Sequence, residues 1–213
     1  DERDALITLL RIHDLHLAPI ERLGGLEWFQ HHPGVVALKG RLECRLMADL
    51  DTRVQTTDQT ADQTTDQTAE IDEVDEVDDP AAVARAVRRI AAANLTPPVY
   101  EWLAEAADYD ELVEFLAIEG GPDGGFDDLV AVAQLGLDGE AKLTLAKNYW
   151  DEMGRGSLDE VHTELHHRLT RAVDLPRVPR AELPLEALRR SALNGLLATN
   201  RALQPEMLGA LGV

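Results

Sequence analysis

Apolar residues recur along this chain at the three- and four-residue spacing of an amphipathic helix. In the first segment Leu6, Leu9, Leu10 and His13 share one face, and polar residues occupy the others. No stretch alternates between apolar and polar residues for long enough to predict a sheet. The pattern therefore predicts an all-α fold.

Proline and glycine mark where the predicted helices begin and end. Pro80 is expected in the first turn of a helix, and Pro205 is expected to end the last helix. We expect helices over 1–16, 34–49, 80–93, 100–108, a segment ending at Glu119, 127–135, 139–153, a segment containing His162, and 185–203.

Residues 51–79 break the helical pattern with Thr-Asp-Gln-Thr near-repeats followed by an acidic run. So few apolar side chains cannot offset the entropy cost of ordering the segment. Its Asp spacing resembles a cation-binding loop, but the glycine and terminal glutamate of a calcium loop are missing. We interpret 51–79 as an acidic low-complexity linker or insertion between N-terminal helices of the bundle (1–50) and a core helical bundle (80–213).

The charge and the cysteine content restrict the function further. With 213 residues, 45% of them apolar, the chain can bury a single core. A formal charge of −20 argues against partners such as nucleic acid or anionic membrane, and no apolar run is long enough to span a bilayer. Cys44 is the only cysteine, which excludes an intrachain disulfide and suits a cytoplasmic protein.

One acidic residue falls on an apolar helical stripe. Glu119 follows Leu112, Phe115 and Leu116 at spacings of seven, four and three residues. A buried carboxylate needs a cation, a proton or a metal as its partner. A metal ligand is one interpretation of Glu119. The other is a carboxylate near a helix end that reaches water or pairs with an arginine, since Gly120 follows at once.

A second carboxylate and an imidazole lie downstream. Glu152 shares a helix face with Leu145 and Tyr149, and His162 lies in an apolar pattern after a glycine-rich break at 154–156. The glycines would allow the bend that brings Glu152 and His162 together. Two glutamates and one histidine, all directed inward, suit iron or manganese.

Other interpretations of these residues remain open. Glu152 is also typical of a surface acid near a helix end. His162 and His166 are four residues apart and can chelate as a pair, although on such a helix one of them more often lies at the edge of the core and the other in solvent. His166 is retained only as a substitute ligand, and His167 is not assigned a role.

Four stretches resemble the iron-containing redox enzymes of the heme-oxygenase-like diiron oxidase superfamily. The resemblance covers the chain from about Pro80 onward and more weakly 33–50. It rests on FLAIEGGPDGGFDDL at 115–129, AVAQLG at 131–136, KNYWDEMGRG at 147–156 and VH at 161–162.

The resemblance implies a heme-oxygenase-like helical bundle with iron ligands at Glu119, Glu152 and His162. It further implies two iron ions in a complete member, dioxygen as co-substrate, and Tyr149 and Trp150 near the site. Family members draw additional His and Asp ligands from a third helix. That helix has no counterpart here, so we expect a C-terminally incomplete bundle with weak iron binding and an apolar groove that promotes homodimer formation.

The function implied by the resemblance is a non-heme, diiron-type oxidase or oxygenase acting on a small organic substrate. The reactions in question are oxygenation of an amine nitrogen, cleavage of a carbon–carbon bond and decarboxylation of a fatty acid. The alternative is a non-catalytic helical module for binding or interaction, without a complete metal site. Motifs of serine hydrolases, P-loop proteins and dinucleotide-binding enzymes are absent from the sequence.

Overall fold

The computed structural model describes residues 1–61, 84–85, 88, 97–120 and 126–211, and this part of the chain is helical with no β-strand. The predicted all-α fold is confirmed. The α-helices are α1 (Glu2–Leu17), α2 (Ile20–Leu23), α3 (Pro33–Ala61), α4 (Pro98–Glu105), α5 (Tyr109–Gly120), α6 (Phe126–Ala133), α7 (Gly139–Glu152), α8 (His162–Ala172), α9 (Leu185–Thr199) and α10 (Gln204–Ala210). Short 3₁₀ turns lie at Leu26–His31, Gly154–Gly156, Leu158–Glu160 and Arg201–Leu203.

The chain divides into two compact units. One combines Asp1–Asp49 with Val113–Val213, and the other is Leu50–Leu112. The expected linker begins differently from its prediction, because α3 continues through 51–61. No proline or glycine lies between Asp49 and Ala61, so nothing in the sequence stops the helix there. The rest of the linker, and most of the helix expected over 80–93, fall outside the described residues.

Helix α1 packs against α9 through the face that the sequence predicts. Leu6, Leu9, Leu10 and His13 are all buried. From α9, Ala187, Leu188, Ala192 and Leu196 are buried as well. Small and large apolar side chains at helical spacing therefore form the first part of the core.

The second part of the core joins α6, α7, α9 and α10. Its buried members are Leu129, Ala133, Leu145, Leu197 and Met207. The side-chain amide of Gln204 donates to the carbonyl oxygens of Ala133 and Leu135, at 2.8 and 2.7 Å. Ala133 is the last residue of α6 and Leu135 lies two residues beyond it, so neither carbonyl has a partner within that helix. Gln204 thus caps α6 from the start of α10.

The expected helix over 185–203 is shorter in the structure. Helix α9 ends at Thr199, and a 3₁₀ turn separates it from α10. Pro205 lies in the first turn of α10, so the expectation that it ends the preceding helix was wrong. Proline fits a first turn because the N–H it lacks would have no partner there.

A buried carboxylate joins α1, α3 and the residue after α9. The Oε1 atom of Glu43 is 3.0 Å from His13 Nε2, 2.6 Å from Lys39 Nζ and 2.9 Å from Asn200 Nδ2. Burial by itself would raise the pKa of Glu43. Hydrogen bonds from His13, Lys39 and Asn200 outweigh that effect and lower the pKa to about 2.

Within the described residues, the helices are too short or too polar for any of them to traverse a lipid bilayer.

Replacing Glu43 with glutamine (E43Q) should reduce the fall in the free energy of unfolding between neutral and acidic pH. Because the folded pKa of about 2 lies below the ordinary 4.5, the carboxylate stabilises the fold fully above pH 4.5. That contribution, about 3 kcal/mol, is lost as the pH falls from 4.5 towards 2. About 1.4 kcal/mol of it is lost by pH 3.5, and urea unfolding of both proteins at about pH 7 and about pH 3.5 measures this part. E21Q, a variant at an exposed glutamate, should lose as much stability between the two pH values as the wild type does. An equal loss in E43Q would contradict the prediction.

Gly195 allows His13 to approach the backbone of α9. A methyl group at this position would overlap the imidazole ring, whereas one at Gly209, in α10, would meet no atom within 4 Å. We expect G195A to lose about 2 kcal/mol of stability and G209A to be neutral or to gain about 0.5 kcal/mol. Thermal unfolding followed by circular dichroism compares the two. Equal melting temperatures would show that the ring is not confined there.

Candidate metal centre

A sharp turn joins the end of α7 to the beginning of α8. Gly154 and Gly156 have φ angles of +60° and +89°, and Arg155 between them has +54°. Met153 and Val161 form an isolated antiparallel bridge across the turn. Glycine adopts these left-handed angles without strain. The sequence prediction that the two glycines provide the bend is confirmed by this geometry.

The turn brings two of the three predicted ligands into contact. Glu152 Oε2 lies 2.5 Å from His162 Nδ1. An ionised carboxylate only accepts hydrogen bonds, so Nδ1 carries the proton. In the neutral imidazole this leaves a lone pair on Nε2, and a carboxylate on the opposite nitrogen is the usual way in which proteins orient a metal-binding histidine. The pair is thus arranged to offer one imidazole nitrogen to a cation.

The third predicted ligand has a different partner. Arg190 Nη1 donates to Glu119 Oε1, and Arg190 Nη2 donates to the backbone oxygen of Glu119 at 3.0 Å. The Glu119 side chain is 43% exposed. The expected burial of this carboxylate was therefore wrong. Pairing with an arginine near a helix end, the alternative left open by the sequence, is what the structure contains.

The apolar stripe expected around His162 is open to solvent. His162 is 59% exposed, against 21% for Glu152. Leu158, Leu165 and Leu169 are exposed too. The inward orientation predicted for His162 was wrong because α8 begins only at His162. Leu158 and Val161 precede the helix and do not extend its face.

Trp150 and Tyr149 lie near the turn in sequence, as the family resemblance implies for residues around the site. Trp150 packs close to Gly156, where a methyl group would lie 3.0 Å from its Cη2 atom. Its side chain is exposed, and Tyr149 is half-buried. The indole therefore covers the outside of the glycine turn.

The residues of this region fit an iron site only in part. The donor chemistry of Glu152 and His162 suits iron. The carboxylate of Glu119 is bound to Arg190 instead. The described part of the chain holds no group of three or more His, Cys, Asp or Glu side chains arranged to bind a metal ion. It therefore does not form the three-ligand site expected from the sequence.

Arg190 is the residue of this region that sequence reasoning missed. It lies 71 positions from Glu119. It follows Arg189, which is bound to Glu2 of α1 and Glu186 of α9. The adjacent arginines look alike in sequence, and only the fold distinguishes the partner of each.

One protein family is similar to the part of the chain that contains the Glu152–His162 pair. Residues 114–213 match the family model described as iron-containing redox enzyme. The match covers slightly less than half of the chain, and we call residues 114–213 the redox-enzyme segment. No curated protein and no solved structure matches the chain. The redox-enzyme segment includes Glu119, Glu152, His162 and Arg190. The match agrees with the resemblance found in the sequence, to a family whose description names iron and redox chemistry.

Substitution at Gly154 should destabilise the turn that brings Glu152 and His162 together. A methyl group there would lie 2.5 Å from the carbonyl carbon of Glu160 and 2.7 Å from Val161 N. We expect G154A to lose about 3 kcal/mol, from the left-handed angle together with the clash. The control is G139A, with φ +55° and open space, which should lose only about 1 kcal/mol. Urea unfolding gives both values, and equal losses would exclude the close approach of the two turns.

Proposed function

We propose that this chain provides part of a non-heme iron oxidoreductase that uses dioxygen, of the diiron type, and acts on a small organic substrate. The observation that carries the proposal is the Glu152–His162 pair inside the segment that matches the iron-containing redox enzymes. A carboxylate and an imidazole are the donor types that such enzymes use. Iron held by such ligands supplies the reaction with dioxygen when it is bound.

The residues of this chain contribute orientation. Glu152 holds the Nδ1 proton of His162, so the tautomer and the direction of the ring are fixed. The left-handed turn at Gly154 and Gly156 sets the distance between the two side chains. Trp150, packed on Gly156, offers an exposed aromatic surface against which an organic substrate would rest. Nitrogen oxygenation, carbon–carbon cleavage and decarboxylation are the three candidate reactions.

The second candidate is a helical module that binds a partner without catalysis. The observation in its favour is that Arg190 already neutralises Glu119, so this carboxylate does not need a metal for its charge. This candidate predicts a protein that contains no stoichiometric iron after purification under reducing conditions. A metal assay therefore separates the two functions.

Removing either member of the Glu152–His162 pair should weaken the binding of Fe(II). We expect H162A and E152Q to raise the dissociation constant by about tenfold or more, measured by equilibrium dialysis without oxygen. H167A is the matched control, because His167 lies on the same helix and is similarly exposed, and it should bind as the wild type does. Iron-loaded wild-type protein should then consume dioxygen in the presence of a suitable reductant. Equal binding by H162A, or no binding at all by the wild type, would favour the non-catalytic module.

A further inference from the structure

The segment between α1 and α3 buries none of its large apolar side chains. It contains α2, a glycine pair and the 3₁₀ turn Leu26–His31, and neither α2 nor the turn has a buried residue. Five apolar side chains in this segment and at the start of α3 are more than half exposed. We call them the Trp28 surface: Ile20, Leu26, Trp28, Phe29 and Val36.

The local backbone places these side chains next to one another. The glycine pair at 24–25 adopts left-handed φ angles of +58° and +93°, so the chain turns there and α2 contacts the 3₁₀ turn. Leu26 and Phe29 are three residues apart, which puts them on the same side of that turn. The ring of His32 lies 6.2 Å from that of Phe29, and its backbone oxygen accepts from Val36 N at 3.0 Å. The five side chains therefore form one apolar strip.

The Trp28 surface is large enough to be half of a dimer interface. Its side chains expose on the order of 500 Å², near the upper end of what a monomer ordinarily presents to water. Two such surfaces placed face to face would bury about 1,000 Å², before their polar edges are counted, and a specific interface needs about that much. Tryptophan and phenylalanine are also enriched at the centres of interfaces.

The charge around the Trp28 surface suits a second copy of this chain. The whole chain carries a formal charge of −20, but the stretch 17–39 contains two acidic and two basic side chains, with histidine taken as neutral. Glu21 and Arg22 are adjacent and exposed. In a twofold dimer the acid of each copy can pair with the base of the other. A strongly basic partner would instead be attracted to the acidic remainder of the chain.

We propose that the Trp28 surface is the interface of a twofold homodimer, with Trp28 of each copy buried near its centre. The homodimer expected from the sequence would use a different surface, the groove of an incomplete bundle. The inference does not depend on the proposed function, because the Trp28 surface lies outside the redox-enzyme segment. An interface at the lower limit of size gives a weak dimer, with a dissociation constant in the micromolar range.

Sedimentation velocity of the full chain, at concentrations spanning the micromolar range, tests the proposal. We expect the wild type to pass from monomer to dimer and W28A to raise the dissociation constant at least about thirtyfold. W28F keeps an aromatic ring and should lie between the two. L158A is the matched control, since Leu158 is 76% exposed against 73% for Trp28, and it should dimerise as the wild type does.

Salt and thermal unfolding give two further measurements. Raising the salt concentration should favour the dimer, because salt screens the repulsion between two chains of charge −20. A dimer held by ion pairs would weaken instead. At concentrations where the wild type is monomeric, W28A should keep the wild-type melting temperature, because the side chain it truncates is exposed.

Four results would overturn the proposal. The first is a wild type that stays monomeric at every concentration, including one that binds phosphatidylcholine vesicles through Trp28, which would assign the surface to a membrane. The second is a dissociation constant that W28A leaves unchanged. The third is a dimer lost in L158A, which would move the interface to the exposed stripe around His162. The fourth is a lower melting temperature of monomeric W28A, which would show that Trp28 packs within its own chain.

Discussion

One carboxylate oxygen in the core holds together parts of the chain that are far apart in sequence. Glu43 accepts hydrogen bonds from α1, from its own helix α3 and from Asn200 after α9. An unpaired charge at this depth would cost several kcal/mol, so the three donors must arrive together. The close packing of His13 on Gly195 meets the same condition, because it brings the imidazole within reach of the carboxylate. The relative placement of α1, α3 and α9 depends on this arrangement.

The candidate metal centre depends on a backbone turn and not on a buried charge. Between α7 and α8 three consecutive residues adopt left-handed angles, and the turn closes on itself through the Met153–Val161 bridge. The Glu152–His162 contact therefore depends on local conformation and needs little support from the core. Glu119 has no such support and depends on a residue of α9. This difference explains why the pair is joined in the structure while the third predicted ligand has another partner.

Local features of the structure could be predicted from the sequence, and contacts across long separations could not. The buried face of α1 and the bend at Gly154 follow from spacing and residue type within a few positions. The pairing of Glu119 with Arg190 joins residues 71 positions apart, and the sequence left it only as an unspecified arginine. The prediction of an inward-facing apolar stripe around His162 was wrong for a local reason, since periodicity does not mark the residue at which a helix begins. Pro205 shows the same limit, because proline suits both the end of one helix and the first turn of the next.

The cap on α6 depends on the chemical identity of one side chain as well as on its shape. Both hydrogen bonds from Gln204 come from one amide nitrogen, which donates to two carbonyl oxygens. Hydrolysis of that amide would leave a carboxylate, which only accepts hydrogen bonds. Two attractions would become two repulsions at the point where α10 meets the end of α6. Position 204 therefore requires an amide, and a glutamate of nearly the same shape and volume would loosen the second part of the core.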